Sequence, residues 1–371
     1  MKVSAQQVVA WRMRRQYLDP RTERTANAIV GRLCGVQAQV RSAAATAVAL
    51  RQSAPDPEAV DRELGDLALM KTWAMRGTLH LLRPGDAGAY LALMETTGFW
   101  RKPAWQRVSG VTPRQIDDLT DAVRDILDGA VLTRDQLVSV LVADRRFTGM
   151  AEQLRSGWGQ VLKPLAWRGV LCHGPNAGNK ITFTLPSSRY PNWTKPPDPD
   201  AAAPAVIAAY LGAYGPATPA VFDRWLSLNS TSTPRLRQWF GDMGSTLTQV
   251  DVDGRPALIL TDHVDELADS TPWHGTRLLG GFDQYLLGPG TKDESVLPQA
   301  HRAAVSRTSG WISPIVVVDG RVAGVWEVVD DEVIVTPFPG GGALSPTALA
   351  DEAAHVARAS GRDGLTVRVA N

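Results

Sequence analysis

A repeated order of predicted elements, three helices followed by a pair of short strands, constrains the fold of this chain more than any other feature. The order first occurs near the N-terminus, where Ser4 is a candidate N-cap with Gln7 as its capping-box partner. Further helices are predicted over residues 24–33 and 43–51, and residues 71–82 are predicted to form strands around a glycine. Three helices with such a strand pair are typical of a winged helix-turn-helix unit.

The same order recurs twice before residue 270. In the second occurrence helices are predicted over residues 113–127, from Leu132 and over residues 151–167, followed by two strands that flank an Asn- and Gly-rich turn. Six prolines between residues 186 and 204 predict a linker. The third occurrence ends in two strands joined by Asp253-Gly254, a strong hairpin signal. The repeat lies in the pattern of elements and not in the residues themselves.

The remainder of the chain has a different pattern, with several short strands and tight turns. Asp319-Gly320 joins two strongly apolar strands, a third strand follows over residues 332–336, and residues 344–360 form one closing helix. The sequence therefore predicts an α+β fold with three tandem winged helix-turn-helix units and a C-terminal small β-barrel. The predicted boundaries are 1–105 for unit 1, 106–190 for unit 2, 200–272 for unit 3 and 273–371 for the barrel.

Charge is distributed unevenly along the chain, although the net charge is only +1. Residues 1–250 contain 30 Lys and Arg against 21 Asp and Glu, whereas residues 251–371 contain 9 against 17. A basic N-terminal part can present a phosphate-binding face even when the whole chain is near neutral. A solvated charged surface without a nucleic-acid partner is the alternative explanation.

Several function classes receive no support from the sequence. It contains no phosphate-cradling glycine loop, no paired His and Cys metal set and no Gly-x-Ser-x-Gly nucleophile motif, so no metal and no cofactor are expected. The two cysteines, Cys34 and Cys172, give no disulfide framework. No apolar stretch is long enough to span a membrane and no signal peptide is recognised, so we expect a cytoplasmic, nucleoid-associated protein.

The segment Cys34-Gly35-Val36-Gln37-Ala38-Gln39-Val40-Arg41 lies at the junction of two predicted helices. Side chains two apart point in nearly opposite directions in a helix but to the same side of an extended backbone. Gln37 and Gln39 can therefore serve one site only if the backbone here is extended or if a helix breaks or starts here, and Gly35 makes such a break inexpensive. Neutral amides are weak acids and bases, but they orient water or a polar leaving group well. Two surface or capping glutamines are the alternative.

These motifs resemble those of the winged-helix DNA glycosylases of the AlkZ type. The resemblance extends over essentially the whole chain, and its most specific element is the Gln-apolar-Gln motif, which matches without departure. It also includes the segments Arg76-Gly77-Thr78-Leu79-His80, Phe282-Asp283-Gln284-Tyr285-Leu286-Leu287-Gly288 and Val318-Asp319-Gly320-Arg321.

The resemblance implies a concave cradle of three winged-helix units that holds double-stranded DNA, and a monofunctional enzyme. The implied reaction is hydrolysis of the N-glycosidic bond of N7-alkylated guanine. Its substrates would include azinomycin-type interstrand crosslinks, which the enzyme unhooks in DNA repair and antibiotic self-resistance. Tandem units in one chain favour a monomer.

Gln37 and Gln39 are the candidate catalytic residues, with Gln39 expected to position the attacking water and Gln37 to hold the water or the deoxyribose. The candidate DNA-binding residues are Arg12, Arg14, Arg15, Arg41, Lys71, Arg76 and His80. A non-catalytic winged-helix DNA-binding regulator, or a protein that sequesters a drug, is the alternative function. A nuclease is a weaker alternative, because the sequence shows no clustered carboxylate metal site.

Overall fold

The Ser4 cap predicted from the sequence is present in the computed structural model, which describes residues 1–370. Ser4, Thr112 and Thr133 each accept a hydrogen bond from the backbone N–H three residues later, and in each case the glutamine at that position closes a capping box. The predicted Asp-Gly turns also form, since Asp253 and Asp319 both take the positive φ that such two-residue hairpin turns require.

The elements follow one another in four groups along the chain. The first group is β1 (Lys2–Val3), α1 (Ala5–Arg15), α2 (Ala26–Arg32), β2 (Val36–Gln37), α3 (Arg41–Ala49), α4 (Ala59–Gly65), β3 (Met70–Trp73), β4 (Leu79–Leu82), α5 (Pro84–Glu95) and α6 (Pro103–Ser109). The second is α7 (Pro113–Leu127), β5 (Val131–Thr133), α8 (Arg134–Ala143), α9 (Ala151–Arg155), α10 (Leu162–Trp167), β6 (Cys172–His173), β7 (Thr182–Thr184) and α11 (Pro186–Arg189).

The third group is α12 (Pro199–Tyr214), α13 (Pro219–Ser227), α14 (Thr233–Asp242), β8 (Leu247–Val252), β9 (Arg255–Leu260) and α15 (Val264–Ala268). The last group is β10 (Thr276–Leu279), α16 (Gln284–Leu287), α17 (Arg302–Val305), β11 (Ile315–Val318), β12 (Arg321–Val329), β13 (Glu332–Pro337), α18 (Pro346–Ala359) and β14 (Thr366–Val369).

Two local predictions differ from the structure. The helix predicted over residues 151–167 is broken between α9 and α10, where Gly159 takes φ +61° and lies against the Trp73 ring. A Cβ at this position would lie 2.5 Å from the ring, so packing and backbone conformation both require glycine. The proline-rich segment predicted as a linker contains α11 and the first turns of α12, which begins at the Asp198 cap.

A six-stranded sheet joins the strands of the first two groups in the order β2-β4-β3-β6-β7-β5. The two halves meet where Lys71 of β3 pairs with His173 of β6. The strand pairs predicted as separate wings are therefore parts of one sheet. A second, three-stranded sheet has the order β1-β8-β9, and its parallel β1–β8 pair fixes the N-terminus beside the third group.

The C-terminal sheet has five strands in the order β10-β11-β12-β13-β14. The predicted small β-barrel requires its two edge strands to pair, but here β10 and β14 remain at opposite edges. The chain passes through α18 before it enters β14, which then adds parallel to β13, while α18 packs against both β10 and β14. The prediction is thus corrected to an open half-barrel covered by a helix.

The largest buried cluster of apolar side chains runs from Cys34 to Met243 and so is shared by the first three groups of elements. At its centre, Tyr210 packs against Trp225 with ring centroids 4.8 Å apart. A buried ion pair between Arg51 and Asp283 connects the end of α3 to the beginning of α16. None of the helices formed by residues 1–370 has the length and apolar character needed to cross a bilayer.

Candidate active site

The glutamine segment begins at a forced reversal of the chain after α2. Cys34 and Gly35 both take positive φ, +55° and +93°, and direct the backbone from the helix into β2. A Cβ at Gly35 would lie 2.7 Å from a methyl carbon of Leu82 and 3.1 Å from the carbonyl oxygen of Leu81. Glycine is therefore required here by the positive φ and by the close neighbouring strand.

The backbone is extended at Gln37 and Ala38 and bends at Gln39, so the glutamines lie where one helix has ended and the next is about to begin. Val36 and Gln37 pair with Leu81 and His80 of β4, and the Ala38 N–H donates to the Leu79 carbonyl at 2.7 Å. The chain bends at Gln39 and Val40, and α3 begins at Arg41. Gln37 is buried, with 7% of its surface exposed, whereas Gln39 is exposed.

Hydrogen bonds fix the orientation of both amides. Arg76 Nη2 donates to Gln37 Oε1 at 3.0 Å, and the Leu79 N–H donates to Gln39 Oε1 at 3.4 Å. Neither partner is able to accept a hydrogen bond through the atom involved, so an oxygen must face each of them. Among the residues that the structure describes, neither amide nitrogen has a hydrogen-bond partner. Both NH₂ groups therefore remain free to donate to a substrate.

Arg76 and His80 lie beside Gln37, and their side chains donate hydrogen bonds to other groups of the protein. Arg76 Nη1 donates to the Trp225 carbonyl at 2.9 Å, and burial lowers the pKa of its guanidinium to about 10, which leaves it charged at neutral pH. His80 is fully buried, and burial together with the charge of Arg76 lowers the pKa of its imidazole to about 3. The neutral ring donates from Nδ1 to the Thr78 carbonyl at 3.0 Å. The predicted phosphate contact of His80 is revised because its side chain has no exposed surface, whereas that of the half-buried Arg76 stays a prediction.

The three candidate arginines of α1 are directed toward other parts of the protein. Arg12 is 4% exposed, pairs with Asp293 at 2.7 Å and donates to the Gly215 and Pro216 carbonyls. Its predicted phosphate contact is revised, because these partners occupy the guanidinium. Arg15 is half-buried and donates to the Gly212 carbonyl, and Arg14 is exposed and donates to Ser270 Oγ.

Arg41 and Lys71 converge on a cavity of about 490 Å³ that borders the glutamine segment at Ala38. Arg41 is exposed and pairs with Asp61 at 2.6 Å, a contact that solvent weakens. Lys71 is half-buried; burial, followed by the nearby charge of Arg41, lowers the pKa of its ammonium group. A bound anion would relieve this repulsion, so the pair is suited to hold a phosphate.

Sequence reasoning missed three contributors to this region. His173 and Arg189 also line the cavity next to Lys71, and the Trp225 carbonyl anchors Arg76. No local signal identifies them, because the Lys71–His173 pairing and the approach of α13 are contacts between segments far apart in sequence. Arg76 takes φ +57° in the turn before Gly77, a conformation that is uncommon for residues other than glycine.

The two glutamine amides and the Arg76 guanidinium place hydrogen-bond donors and a fixed positive charge at the C-terminal end of β2. The Arg76 guanidinium holds the Gln37 side chain on its protein side, and the exposed Gln39 follows two residues later. Neither amide serves as a strong base, and the neighbouring His80 is buried and neutral. Such a site suits a reaction that requires orientation and electrostatic stabilisation more than proton abstraction.

Comparison with known proteins gives consistent matches. Residues 30–359 match the family model described as DNA glycosylase AlkZ-like. The chain is 69% identical over 370 residues to the interstrand DNA cross-link repair glycosylase of Streptomyces sahachiroi, with both proteins covered in full. It is also similar to the solved structure of Streptomyces sahachiroi DNA glycosylase AlkZ, with a TM-score of 0.98, 68% identity and full coverage of both chains.

Proposed function

The chain belongs to the AlkZ-like DNA glycosylases, and on that premise we propose that it hydrolyses the N-glycosidic bond of N7-alkylated guanine in duplex DNA. We further propose that it unhooks interstrand crosslinks of the azinomycin type and acts in the cytoplasm in antibiotic self-resistance. The proposal is supported by its relative from Streptomyces sahachiroi, which carries the name interstrand DNA cross-link repair glycosylase and matches along the whole chain.

The observation that carries the reaction is the non-helical Gln37-Ala38-Gln39 segment with two oriented amides. Alkylation at N7 places a positive charge on guanine and makes it a good leaving group. The remaining barrier is an oxocarbenium-like sugar and the attack of water, as in glycoside hydrolysis. Neutral amides are sufficient for that task when they are preorganised. Gln39 would position the attacking water, and the reaction would leave an abasic site without strand cleavage.

The exposure of Gln39 fits a substrate that is tethered to both strands. A crosslinked guanine is not free to rotate fully out of the helix into a deep pocket. Gln39 lies on the surface two residues after β2, where a base still close to the duplex would reach it. The three groups of helices and strands would then form the concave surface that supports the DNA, in contact mainly with its phosphates.

Base release is the direct test of this function. We expect the wild-type protein to release free N7-methylguanine from methylated duplex DNA and to separate the strands of an azinomycin-type crosslink. Released base is measured by chromatography and mass spectrometry, and strand cleavage is measured before and after heating in alkali. If neither substrate releases base, a DNA-binding regulator or a drug-sequestering protein becomes the better description.

Salt dependence tests the proposed phosphate contacts of Arg41 and Lys71. Affinity for duplex DNA should fall steeply with salt, and Arg41→Ala or Lys71→Ala should each lower the slope of log Kd against log salt by about 1. The matched control is Arg368→Ala, which removes an exposed arginine paired with Glu332 in the acidic part of the chain. Fluorescence anisotropy at several salt concentrations gives the slopes. Equal slopes in all four proteins would remove these two residues from the DNA interface.

A further inference from the structure

We propose that Arg76 is a positioning residue that holds Gln37 in a single amide orientation, so that Gln37 acts on the substrate as a hydrogen-bond donor. This inference rests on the proposed glycosylase function and assigns different roles to the two glutamines. It places Gln37 Nε2 against an acceptor atom of the departing guanine and leaves orientation of the water to Gln39.

The orientation of the Gln37 amide follows from the chemistry of its partner. A guanidinium has only donors, and the oxygen is the only acceptor of a glutamine side chain. The 3.0 Å contact between Arg76 Nη2 and Gln37 therefore requires Oε1 on the protein side. Rotation of the amide by 180° would bring two donors together inside a buried region, which is costly. The NH₂ group must then face away from Arg76.

Arg76 is itself rigidly held. Its Nη1 donates to the Trp225 carbonyl at 2.9 Å, and Trp225 packs against Tyr210 and Tyr90 in the shared core. The residue takes the left-handed conformation at φ +57°, and Gly77 after it has φ +69°. Because the guanidinium bridges β2 and α13, the geometry of Gln37 depends on a helix nearly 190 residues later in the chain.

The neighbouring His80 does not compete with Arg76 for the side-chain amide oxygen of Gln37. His80 is the cross-strand partner of Gln37, but its Nδ1 hydrogen donates to the Thr78 carbonyl. Burial and the Arg76 charge keep the imidazole neutral, so its Nε2 carries no hydrogen. Arg76 is thus the donor that fixes Gln37.

The donor orientation determines what Gln37 is able to stabilise. When the bond between C1′ and N9 breaks, its electron pair moves onto the purine, and the purine acceptor atoms become more negative. A fixed donor aimed at one of them stabilises the transition state more than the ground state. Water then adds to C1′ and its proton passes to solvent. Within residues 1–370, Gln39 Oε1 accepts one hydrogen bond, from the Leu79 N–H at 3.4 Å, and is the amide oxygen available to a water hydrogen.

An isosteric substitution tests the donor role. Gln37→Glu keeps the shape and would pair with Arg76, but it removes both donor hydrogens. We expect the single-turnover rate of N7-methylguanine release to fall at least about 100-fold, with Kd for duplex DNA and the melting temperature preserved. Gln39→Glu retains an acceptor oxygen and should retain clearly more activity than Gln37→Glu. If Gln37→Glu releases base within about threefold of wild type, Gln37 is not a donor.

Variants of Arg76 test the positioning role. Arg76→Gln should lower the single-turnover rate about 10- to 100-fold while Kd for DNA changes little, and Arg76→Lys, which keeps a donor, should restore part of the rate. Arg168→Gln is the control, because Arg168 also ties separate elements together through Glu95 and Asp117 but lies outside the site. If Arg76→Gln and Arg168→Gln change the rate equally, or if Arg76→Lys gives no recovery, the role of Arg76 is only structural. If the wild type itself releases no base, the proposed function fails first.

Discussion

Replacing Gln39 by alanine is expected to reduce base release from N7-methylguanine DNA by at least about 100-fold, the usual cost of removing one preorganised transition-state contact. Gln39 is exposed two residues after β2, and its side chain makes one hydrogen bond of 3.4 Å within residues 1–370. The substitution should therefore leave the fold and the affinity for DNA nearly unchanged. A fall in rate with constant Kd would identify a contact made mainly in the transition state.

The control for this substitution is Gln249→Ala. Gln249 is an exposed glutamine like Gln39, but it lies on β8 in the three-stranded sheet and does not belong to the site. Single-turnover release, anisotropy and thermal melting should all match those of wild type. A Gln39→Ala protein that releases base at the wild-type rate would show that Gln39 does not participate in the reaction.

Breaking the buried ion pair between Arg51 and Asp283 is expected to cost about 3–5 kcal/mol in the free energy of unfolding. Both side chains have 1% or less of their surface exposed, and two hydrogen bonds of 2.8 and 2.7 Å join them. Arg51 also donates to the Gln16 and Ala47 carbonyls. Removing either partner leaves an uncompensated charge where no water reaches it.

Asp283→Asn and Arg51→Met should each show this loss in urea unfolding followed by circular dichroism. The double variant should be more stable than the sum of the two losses predicts, because neither charge is then left alone. Arg124→Ala is the control, since Arg124 pairs with Asp121 on the exposed surface of α7 and should give no resolvable change. Single variants as stable as this control would mean that the pair does not hold the two parts together.

This ion pair also explains why the motif around Asp283 is informative. In the sequence, Phe282-Asp283-Gln284-Tyr285 contributes to the resemblance with the glycosylase family but has no evident chemistry. In the structure Asp283 caps α16 through the Tyr285 N–H and neutralises Arg51 at the same time. The motif therefore secures the C-terminal half-barrel to the helix that follows the candidate catalytic glutamines. Its role is to hold these two parts of the chain together.

Short-range chemistry was predictable from the sequence alone. The capping box at Ser4 and the hairpin turns at Asp-Gly pairs form as expected, because each depends on residues within a few positions of one another. The helix break before Gln37 and Gln39 belongs to the same class, since Gly35 lies two residues before Gln37 and takes a positive φ. The identity and chemistry of the candidate catalytic amides were therefore available before any fold was known.

The tertiary structure alone decided which basic residues face solvent and which face the interior. Arg12 is buried beside Asp293 and His80 within the six-stranded sheet, whereas Arg41 is exposed. Arg76 and Lys71 are both half-buried, and Arg76 donates to the Trp225 carbonyl. These partners lie far away in sequence, and long-range contacts carry no local pattern. The same reason explains the shared six-stranded sheet and the open half-barrel, because strand pairing across a long separation depends on the packing of the whole chain and not on either strand's own residues.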